Sequence, residues 1–364
     1  MAPACLLAAS SALVLSGLVS ASAGATVAKS AAAIEKPAAG TVSETGSTLL
    51  YPLFNLWSSG YSTTYPAVTI QTAGTGSGTG ITDATNGTAD IGASDAYLAP
   101  AQLTAAPSLL NIPLAISAQL VTYNIPGVTA HLKLTGKLVS SIYQGKITNW
   151  NDPAIGAINS GITLPNLPIV TLHRSDSSGD TFLFTSFLSD TDPSGWGKTV
   201  AFNTTVPWPN APGALGEMGN SGMVTGCKAT PGCIAYVGIS YLTQALQAGM
   251  GYAQLQNGSK HFELPNPATI NAEAAAFTKK TPPNGSISLI YGKAKGGYPI
   301  VNYEYAIVNG TQSSSSVAKS IRSVLEWAVN LTDGNSTSYL SQVNFQPLPA
   351  SIITASLKQI HKIK

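Results

Sequence analysis

The stretch best suited to bind an anion runs from His173 to Thr181 and reads HRSDSSGDT. The apolar, β-prone residues 167–172 precede it and the apolar residues 182–188 follow it, a pattern that predicts a strand, a polar loop and a helix N-terminus. Such a terminus presents free backbone N–H groups and the positive end of the helix dipole, which together attract an anion. Arg174 can bind a tetrahedral oxyanion through two hydrogen bonds. A Ser/Asp-capped helix beside a surface arginine is the simpler interpretation.

The rarity of arginine makes Arg174 informative, because the chain contains only two arginines. The second, Arg322, lies in a predicted helix, 317–329, four residues before Glu326. This i, i+4 spacing predicts a surface ion pair between Arg322 and Glu326. Arg174 instead lies among Ser, Gly and Asp residues, which favours a role in anion binding.

Two further segments place hydroxyl and glycine residues at the beginning of a predicted helix. They are Ser47-Thr48 and Gly76-Ser77-Gly78. The glycine run at 74–80 lacks the spacing of a dinucleotide-binding fingerprint and the Gly-Lys-Ser/Thr ending of a P-loop, and a flexible turn is the alternative interpretation. With the HRSDSSGDT loop, these segments predict an oxyanion held by three helix N-termini.

The rest of the chain alternates between β-prone and helix-prone stretches. This alternation predicts an α/β fold, and a length of 364 residues suits two domains. Only 9% of the residues are charged and the net charge is +2, so no strong field recruits nucleic acid or an anionic membrane. With so few carboxylates to protonate, we expect the fold to withstand acidic conditions.

The N-terminus has features of an export signal. Residues 6–19 are apolar or small, and Ala21-Ser22-Ala23 offers a small-residue cleavage site. The basic residues that usually precede such a run are absent, and the run is too short and too rich in Ser and Ala for a membrane span. We predict a signal peptide at 1–25, a flexible tether at 26–40 and a mature protein outside the cytoplasm.

Cys227 and Cys233 enclose a turn-forming insert, Lys-Ala-Thr-Pro-Gly. In an exported protein this spacing predicts a local disulfide. Two thiols without nearby histidines do not fill a metal site, so we expect no metal.

The combined motifs resemble the PstS family, the substrate-binding proteins of the phosphate-specific ABC transporter. The resemblance runs from about residue 41 to the C-terminus. The matching stretches are Thr45–Thr48, Gly76–Gly78, Gly87–Asp95, Tyr143–Pro153, Arg174–Phe182 and, more weakly, Ile234–Gly238 and Pro347–Pro349.

The resemblance implies a two-lobed, periplasmic-binding-protein-like α/β fold. Each lobe is then a mixed sheet flanked by helices, with the ligand in the cleft between the lobes. We expect lobe I at 41–115 plus 301–364 and lobe II at 116–300.

The resemblance also implies which residues contact phosphate. Two departures from the family pattern are Leu49, where an aromatic residue is usual, and Asp180, where many members have threonine. Asp176 is expected to orient Arg174, and Thr181 is a secondary candidate. The implied contacts are Thr48, the Leu49 N–H group, Ser77, Asp95, Arg174, Ser178, Gly179 and Asp180.

The carboxylates among these residues have a physical rationale. Phosphate carries a proton near neutral pH and sulfate does not, so a carboxylate can accept a hydrogen bond from P–OH but would be an unpaired buried charge against sulfate. Two such acids, Asp95 and Asp180, predict rejection of sulfate. They also predict binding of the doubly protonated phosphate monoanion.

The implied function is extracytoplasmic capture of inorganic phosphate by cleft closure and its delivery to a membrane permease of an ABC importer. We expect a monomer with no cofactor and no enzyme activity. The alternatives are a binding protein for another oxyanion and a surface protein that reuses the fold. A hydrolase of phosphate esters would need a metal cluster or a nucleophile with its base, whereas the four histidines are scattered and only His173 lies near the loop.

Overall fold

A computed structural model describes residues 34–364. The predicted signal peptide, 1–25, and most of the predicted tether lie outside the described residues. The strands of the described part, β1–β12 in chain order, are Gly40–Gly46, Val68–Ala73, Ile91–Ser94, Leu109–Tyr123, Lys133–Leu134, Val170–Arg174, Leu215–Glu217, Cys233–Gly238, Gly251–Tyr252, Gln254–Gln256, Phe262–Glu263 and Val301–Asn309.

The helices lie between these strands and after the last one, as the alternating sequence pattern predicts. Two short 3₁₀ turns, Ile239–Tyr241 and Ser341–Val343, accompany them. The α-helices, α1–α13 in chain order, are Tyr51–Thr64, Ser77–Asn86, Pro100–Ala105, Gly136–Tyr143, Pro153–Gly156, Gly179–Thr191, Trp196–Thr199, Gly219–Ala229, Leu242–Gln247, Pro267–Thr278, Ser315–Val329, Thr337–Leu340 and Ala350–Ile360.

Most strands join one mixed sheet in the order β2-β1-β3-β12-β4-β8-β6-β7, with β9 paired to β4. The long strand β4 connects the two halves of this sheet. Its residues 109–118 pair antiparallel with β12, and its residues 119–123 pair antiparallel with β8. A smaller sheet has the order β11-β10-β5.

The apolar run that predicts β4 is buried along almost its whole length. A strand covered on both faces must be apolar on both faces, which explains why this segment does not alternate between apolar and polar residues. The first half of the sheet, on one side of β4, contains β1, β2, β3 and β12; the second half contains β6, β7 and β8. The predicted lobe boundaries divide the strands in the same way and stay a prediction.

The second arginine does not form the predicted pair with Glu326. Arg322 instead binds both carboxylate oxygens of Glu35, with Nε–Oε2 at 2.7 Å and Nη2–Oε1 at 3.1 Å, while Glu326 accepts the Glu35 N–H and contacts His361. A bidentate partner from a distant segment therefore replaces the local pair. Ser320 also donates to the Ala38 carbonyl, so the described part of the predicted tether, 34–39, is anchored to α11.

The predicted disulfide is confirmed. Cys227 near the end of α8 is bonded to Cys233 at the beginning of β8. Among the helices of residues 34–364, none is both long and apolar enough to cross a membrane.

Candidate functional site

The three segments that the sequence singles out meet at one place. The loop after β6 contacts the glycine-rich loop, since the Gly78 N–H donates to the Ser177 carbonyl at 2.9 Å. Gly179, the first residue of α6, packs against the side chains of Asp95 and Ser77. The end of β3, the beginning of α2 and the beginning of α6 therefore share one buried polar cluster, which we call the anion site.

Arg174 is the central cation of the anion site. Its Nε and Nη2 atoms bind both carboxylate oxygens of Asp176, the Nε–Oδ1 distance being 2.6 Å. Its Nη1 atom donates to Asp180 Oδ2 at 2.8 Å. Arg174 is only 3% exposed. Its charge therefore interacts strongly with those of Asp176 and Asp180, because the dielectric constant of a buried site is low. The predicted orienting contact between Asp176 and Arg174 is present in the structure.

Asp180 receives donors from two elements besides Arg174. The Gln119 amide on β4 donates to Asp180 Oδ1 at 3.1 Å and to the Asp180 carbonyl at 2.8 Å. The Asn220 amide at the beginning of α8 donates to Asp180 Oδ2 at 2.7 Å. Asp180 is fully buried, and these donors offset the cost of removing its carboxylate from water.

Asp95 lies at the end of β3 and is also buried. The Ser47 hydroxyl donates to its Oδ1 atom. The Ser77 hydroxyl lies 3.3 Å from its Oδ2 atom and accepts the Asp95 N–H at 3.2 Å. Ser47 also accepts the Leu50 N–H at 2.9 Å, so it links the start of α1 to the carboxylate.

The first predicted helix start supplies Thr48 and Leu49. Thr48 Oγ1 accepts the Asn220 amide at 3.0 Å and its backbone N–H at 3.2 Å. Leu49 is buried, and its carbonyl accepts the Ser240 hydroxyl. The Leu49 side chain packs against Gly238.

Ser178 is the N-cap of α6 and accepts the Thr181 N–H, as serine commonly does. The Thr181 hydroxyl forms a hydrogen bond with the Tyr236 hydroxyl at 2.7 Å, so it contributes to the structure around the anion site. Within residues 34–364, the backbone N–H groups of Leu49, Gly179 and Asp180 find no acceptor. Free N–H groups at helix N-termini are the usual ligands of oxyanions.

Burial and charge determine the protonation of the acids. Burial, and then the negative charge of Asp180, raise the pKa of Asp95 to about 7. Burial also raises the pKa of Asp180, although Arg174 opposes that rise. Burial alone would raise the pKa of Asp176, but the hydrogen bonds and charge of Arg174 lower it overall. Asp176 is therefore the ionised partner of Arg174, and Asp95 titrates near neutral pH.

Three residues of the anion site escape sequence reasoning. Ser47 is predicted as part of the Ser47-Thr48 helix start, but its contact with Asp95 is not. Gln119, Asn220 and Glu304 come from β4, α8 and β12, and no local motif marks them. Glu304 is buried, and only the pairing of β12 with β3, in which Tyr305 lies opposite Ser94, brings it next to Asp95.

The groups of the anion site are suited to the recognition of an oxyanion. Free N–H groups, hydroxyls and one guanidinium can donate to oxyanion oxygens, and two buried carboxyls can accept or donate a proton. The ring of His173 stacks on Trp208 with the ring centroids 4.7 Å apart, so its contacts are those of a packed aromatic ring and not of a base beside a nucleophile. Among the described residues, no group of three or more His, Cys, Asp or Glu side chains has the arrangement of a metal site.

Comparison with known proteins identifies what the chain is similar to. The family model of the PBP superfamily domain matches residues 31–330. The phosphate-binding protein PstS of Methanocaldococcus jannaschii is 32% identical over 350 residues, which cover 91% of this chain and 88% of that protein.

Solved structures with the same fold are similar over comparable lengths. A high-affinity periplasmic phosphate-binding protein, PfluDING, solved with bound phosphate, has a TM-score of 0.68 at 21% identity and covers 86% of this chain and 92% of its own. An ABC-type phosphate transport receptor from Vibrio cholerae has a TM-score of 0.53 at 17% identity and covers 85% of this chain and all of its own. These likenesses confirm the predicted two-lobed α/β fold.

Proposed function

This chain belongs to the PstS family of phosphate-binding proteins, and we propose that it binds inorganic phosphate at the anion site and delivers it to the membrane permease of an ABC importer. The observation that carries the proposal is the combination of free N–H groups on Leu49, Gly179 and Asp180 with the buried Arg174 guanidinium. These donors, together with the buried acids Asp95 and Asp180, match an oxyanion that still carries hydrogen.

The two buried carboxyls favour phosphate over sulfate. Asp95 and Asp180 can each accept a P–OH hydrogen bond, whereas fully ionised sulfate has no proton to offer and would face them as a like charge. A buried polar group left unpaired by the wrong ligand can lower affinity by roughly four powers of ten. When both acids are ionised, they can accept the hydrogen bonds of the two P–OH groups that the phosphate monoanion carries.

The remaining parts of the proposed function follow from the family. We also propose that the protein acts outside the cytoplasm, as a monomer and without catalysis; its relatives are named as phosphate-binding proteins, and one similar solved structure is described as periplasmic. The ligand contacts segments from both halves of the sheet, since Ser77 and Asp95 come from the first half and Arg174 and Ser178 from the second. A hinge through β4, the strand that connects the two halves, lets those halves close on the ligand.

Calorimetric titration with phosphate and with sulfate tests the proposal. The protein is first unfolded, dialysed and refolded to remove bound ligand. We expect tight phosphate binding, no heat from sulfate and a loss of phosphate affinity of at least about a hundredfold in Arg174→Ala, because a charged hydrogen-bond donor in a buried site is removed. In Asp95→Asn, which removes the charge that repels sulfate, we expect the preference for phosphate over sulfate to fall by at least about tenfold.

The chain offers a matched control in its other arginine. Arg322→Ala removes the same side chain from the Glu35 pair on α11 and should leave phosphate affinity at the wild-type value. Binding of another oxyanion in place of phosphate would assign the anion site to that ligand. Silence toward all oxyanions at both pH 5 and pH 7 would contradict the proposal and favour a surface role for the fold.

A further inference from the structure

Glu304 is a buried acid next to the anion site that the proposed phosphate contacts do not use. It lies on β12, where the pairing of β12 with β4 shifts register between Glu304 and Tyr305. Its side chain is 0% exposed. An acid that is fully removed from water needs a cation or several hydrogen-bond donors to stay ionised and is otherwise protonated.

The hydrogen bonds around Glu304 leave one carboxyl oxygen without a donor. The Ser117 hydroxyl on β4 and the Asn302 amide, at 2.9 Å, both donate to Oε1. Within the described residues, Oε2 accepts no hydrogen bond from any N–H or hydroxyl group. The register of β12 on β3, with Tyr305 opposite Ser94, places Glu304 next to Asp95, and the Asn302 amide that donates to Glu304 Oε1 also lies 3.5 Å from the Asp95 carbonyl. Two neighbouring buried carboxyls can share a hydrogen bond only if one of them carries a proton.

We propose that Glu304 is protonated and donates its proton to the Asp95 carboxylate, so that it positions Asp95 as the ionised acceptor for the P–OH group of the ligand. Glu304 is then a positioning residue: it acts on phosphate through Asp95. The expected effect of Glu304 on phosphate affinity rests on the proposed function. The protonation of Glu304 rests on the carboxyl pair alone.

The charges around the pair indicate which member holds the proton. Asp95 receives donors from Ser47 and Ser77 and lies within reach of the positive charge of Arg174, which opposes the negative charge of Asp180. Glu304 faces the negative Asp95, and Tyr305 is the other titratable side chain against it. Burial and the negative charge of Asp95 therefore raise the pKa of Glu304 well above its ordinary value.

The inference predicts a pH dependence that the phosphate contacts alone do not give. Above the pH at which Glu304 ionises in the ligand-free protein, a second negative charge lies behind Asp95, and the bound anion makes this charge still less favourable. Affinity should then fall by up to about tenfold for each further pH unit, since one proton must be taken up on binding.

Two variants and the wild type, titrated with phosphate between pH 5 and pH 9.5, test the proposal. In Glu304→Gln the amide can still accept from Ser117 and Asn302 and donate to Asp95, but cannot ionise. In Glu304→Ala the donor to Asp95 is lost. At pH 7 we expect Glu304→Ala to bind at least about tenfold more weakly than wild type and Glu304→Gln to recover most of that loss. At alkaline pH, Glu304→Gln should lack the fall in affinity seen in the wild type.

The outcomes separate the two proposals. Equal affinities of the two variants at pH 7, with pH profiles parallel to that of the wild type, would overturn the role of Glu304. A wild type that binds no phosphate at any pH would overturn the proposed function. Carbon-13 NMR of the Glu304 carboxyl in the ligand-free wild type needs neither a variant nor binding. A protonated Glu304 at pH 7 supports the inference, and an ionised one contradicts it.

Discussion

Gly179 packs on the Asp95 carboxylate so closely that a methyl group on its Cα atom would overlap both Asp95 Oδ2 and Ser77 Oγ. Asp95 follows β3 in the first half of the sheet, and Gly179 begins α6 in the second half. The contact therefore joins the two halves at the anion site. It also brings the free N–H groups of α6 next to an acid, which is the arrangement that a protonated oxyanion requires.

The first prediction concerns this contact. Gly179→Ala places a Cβ atom where the Asp95 carboxylate and the Ser77 hydroxyl lie, so the α6 N-terminus must move away from β3. We expect phosphate affinity to fall by at least about tenfold, because a displaced donor loses much of its hydrogen bond. Calorimetric titration measures the loss.

Gly156→Ala is the matched control for this substitution. Gly156 lies at the end of the short helix α5, and a Cβ atom there meets no other atom within 4 Å. The control should bind phosphate as the wild type does. Wild-type affinity in Gly179→Ala would show that the site does not close through this contact.

The second prediction concerns Asn220, which no sequence motif marks. Its amide joins Thr48 Oγ1 to Asp180 Oδ2, and its own carbonyl accepts the Gly238 N–H at 2.7 Å. Asn220→Asp replaces the donor with a carboxylate that faces Asp180. We expect phosphate affinity to fall by at least about tenfold at pH 7, because a second negative charge now faces the anion, and to recover in part at pH 5 as the pair takes up a proton.

An exposed asparagine provides the comparison. Asn151→Asp adds the same charge in the loop before α5 and should leave affinity at the wild-type value. If Asn220→Asp and Asn151→Asp titrate alike at both pH values, Asn220 has no part in positioning Asp180.

The anion-binding loop could be predicted because its signals are local. The strand, the Ser178 cap and Arg174 lie within a dozen residues. The structure has a strand and a helix there, although β6 begins at Val170 and includes Arg174, which was predicted in the loop. Glu304 could not be predicted, because its proximity to Asp95 depends on the pairing of β12 with β3. The predicted partner of Arg322, Glu326, was wrong for the same reason. The observed partner, Glu35, lies 287 residues away in sequence, whereas the i, i+4 spacing rule considers only neighbours on one helix.

The third prediction concerns the Cys227–Cys233 disulfide, which closes a short loop between α8 and β8. The double substitution Cys227→Ser/Cys233→Ser removes this disulfide. Because the closed loop is short, the unfolded chain gains little conformational entropy, and we expect the free energy of unfolding to fall by only about 2 kcal/mol. Denaturant unfolding with and without a reducing agent measures the difference in the wild type. Phosphate affinity should stay within about threefold of wild type, because the cysteines lie at the opposite end of α8 from Asn220. A stability loss with an equal loss of affinity would show that α8 is fixed through the disulfide.

The last prediction concerns the stability of the ligand-free protein as a function of pH. Burial raises the pKa of Glu44 to about 8 and that of Glu273 to about 7, as it does for Asp95. Each folded-state pKa lies above that of the unfolded chain, so between about pH 4 and pH 8 the folded state binds more protons. The stability that these protons contribute is complete below pH 4 and is lost as the pH rises through 7 to 8. We expect a melting temperature at least about 5 °C higher at pH 5 than at pH 8.

Single variants test whether the buried acids cause this difference. Glu44→Gln keeps a group that can accept the Thr72 hydroxyl but cannot ionise, so its melting temperature should change less between pH 5 and pH 8. Glu263→Gln on the short strand β11 removes a partly exposed carboxyl and should keep the wild-type difference. A melting temperature that is equal or higher at pH 8 would contradict the prediction. The measurement must exclude phosphate, since a ligand that binds only the folded state raises stability by mass action and would hide the effect of the acids.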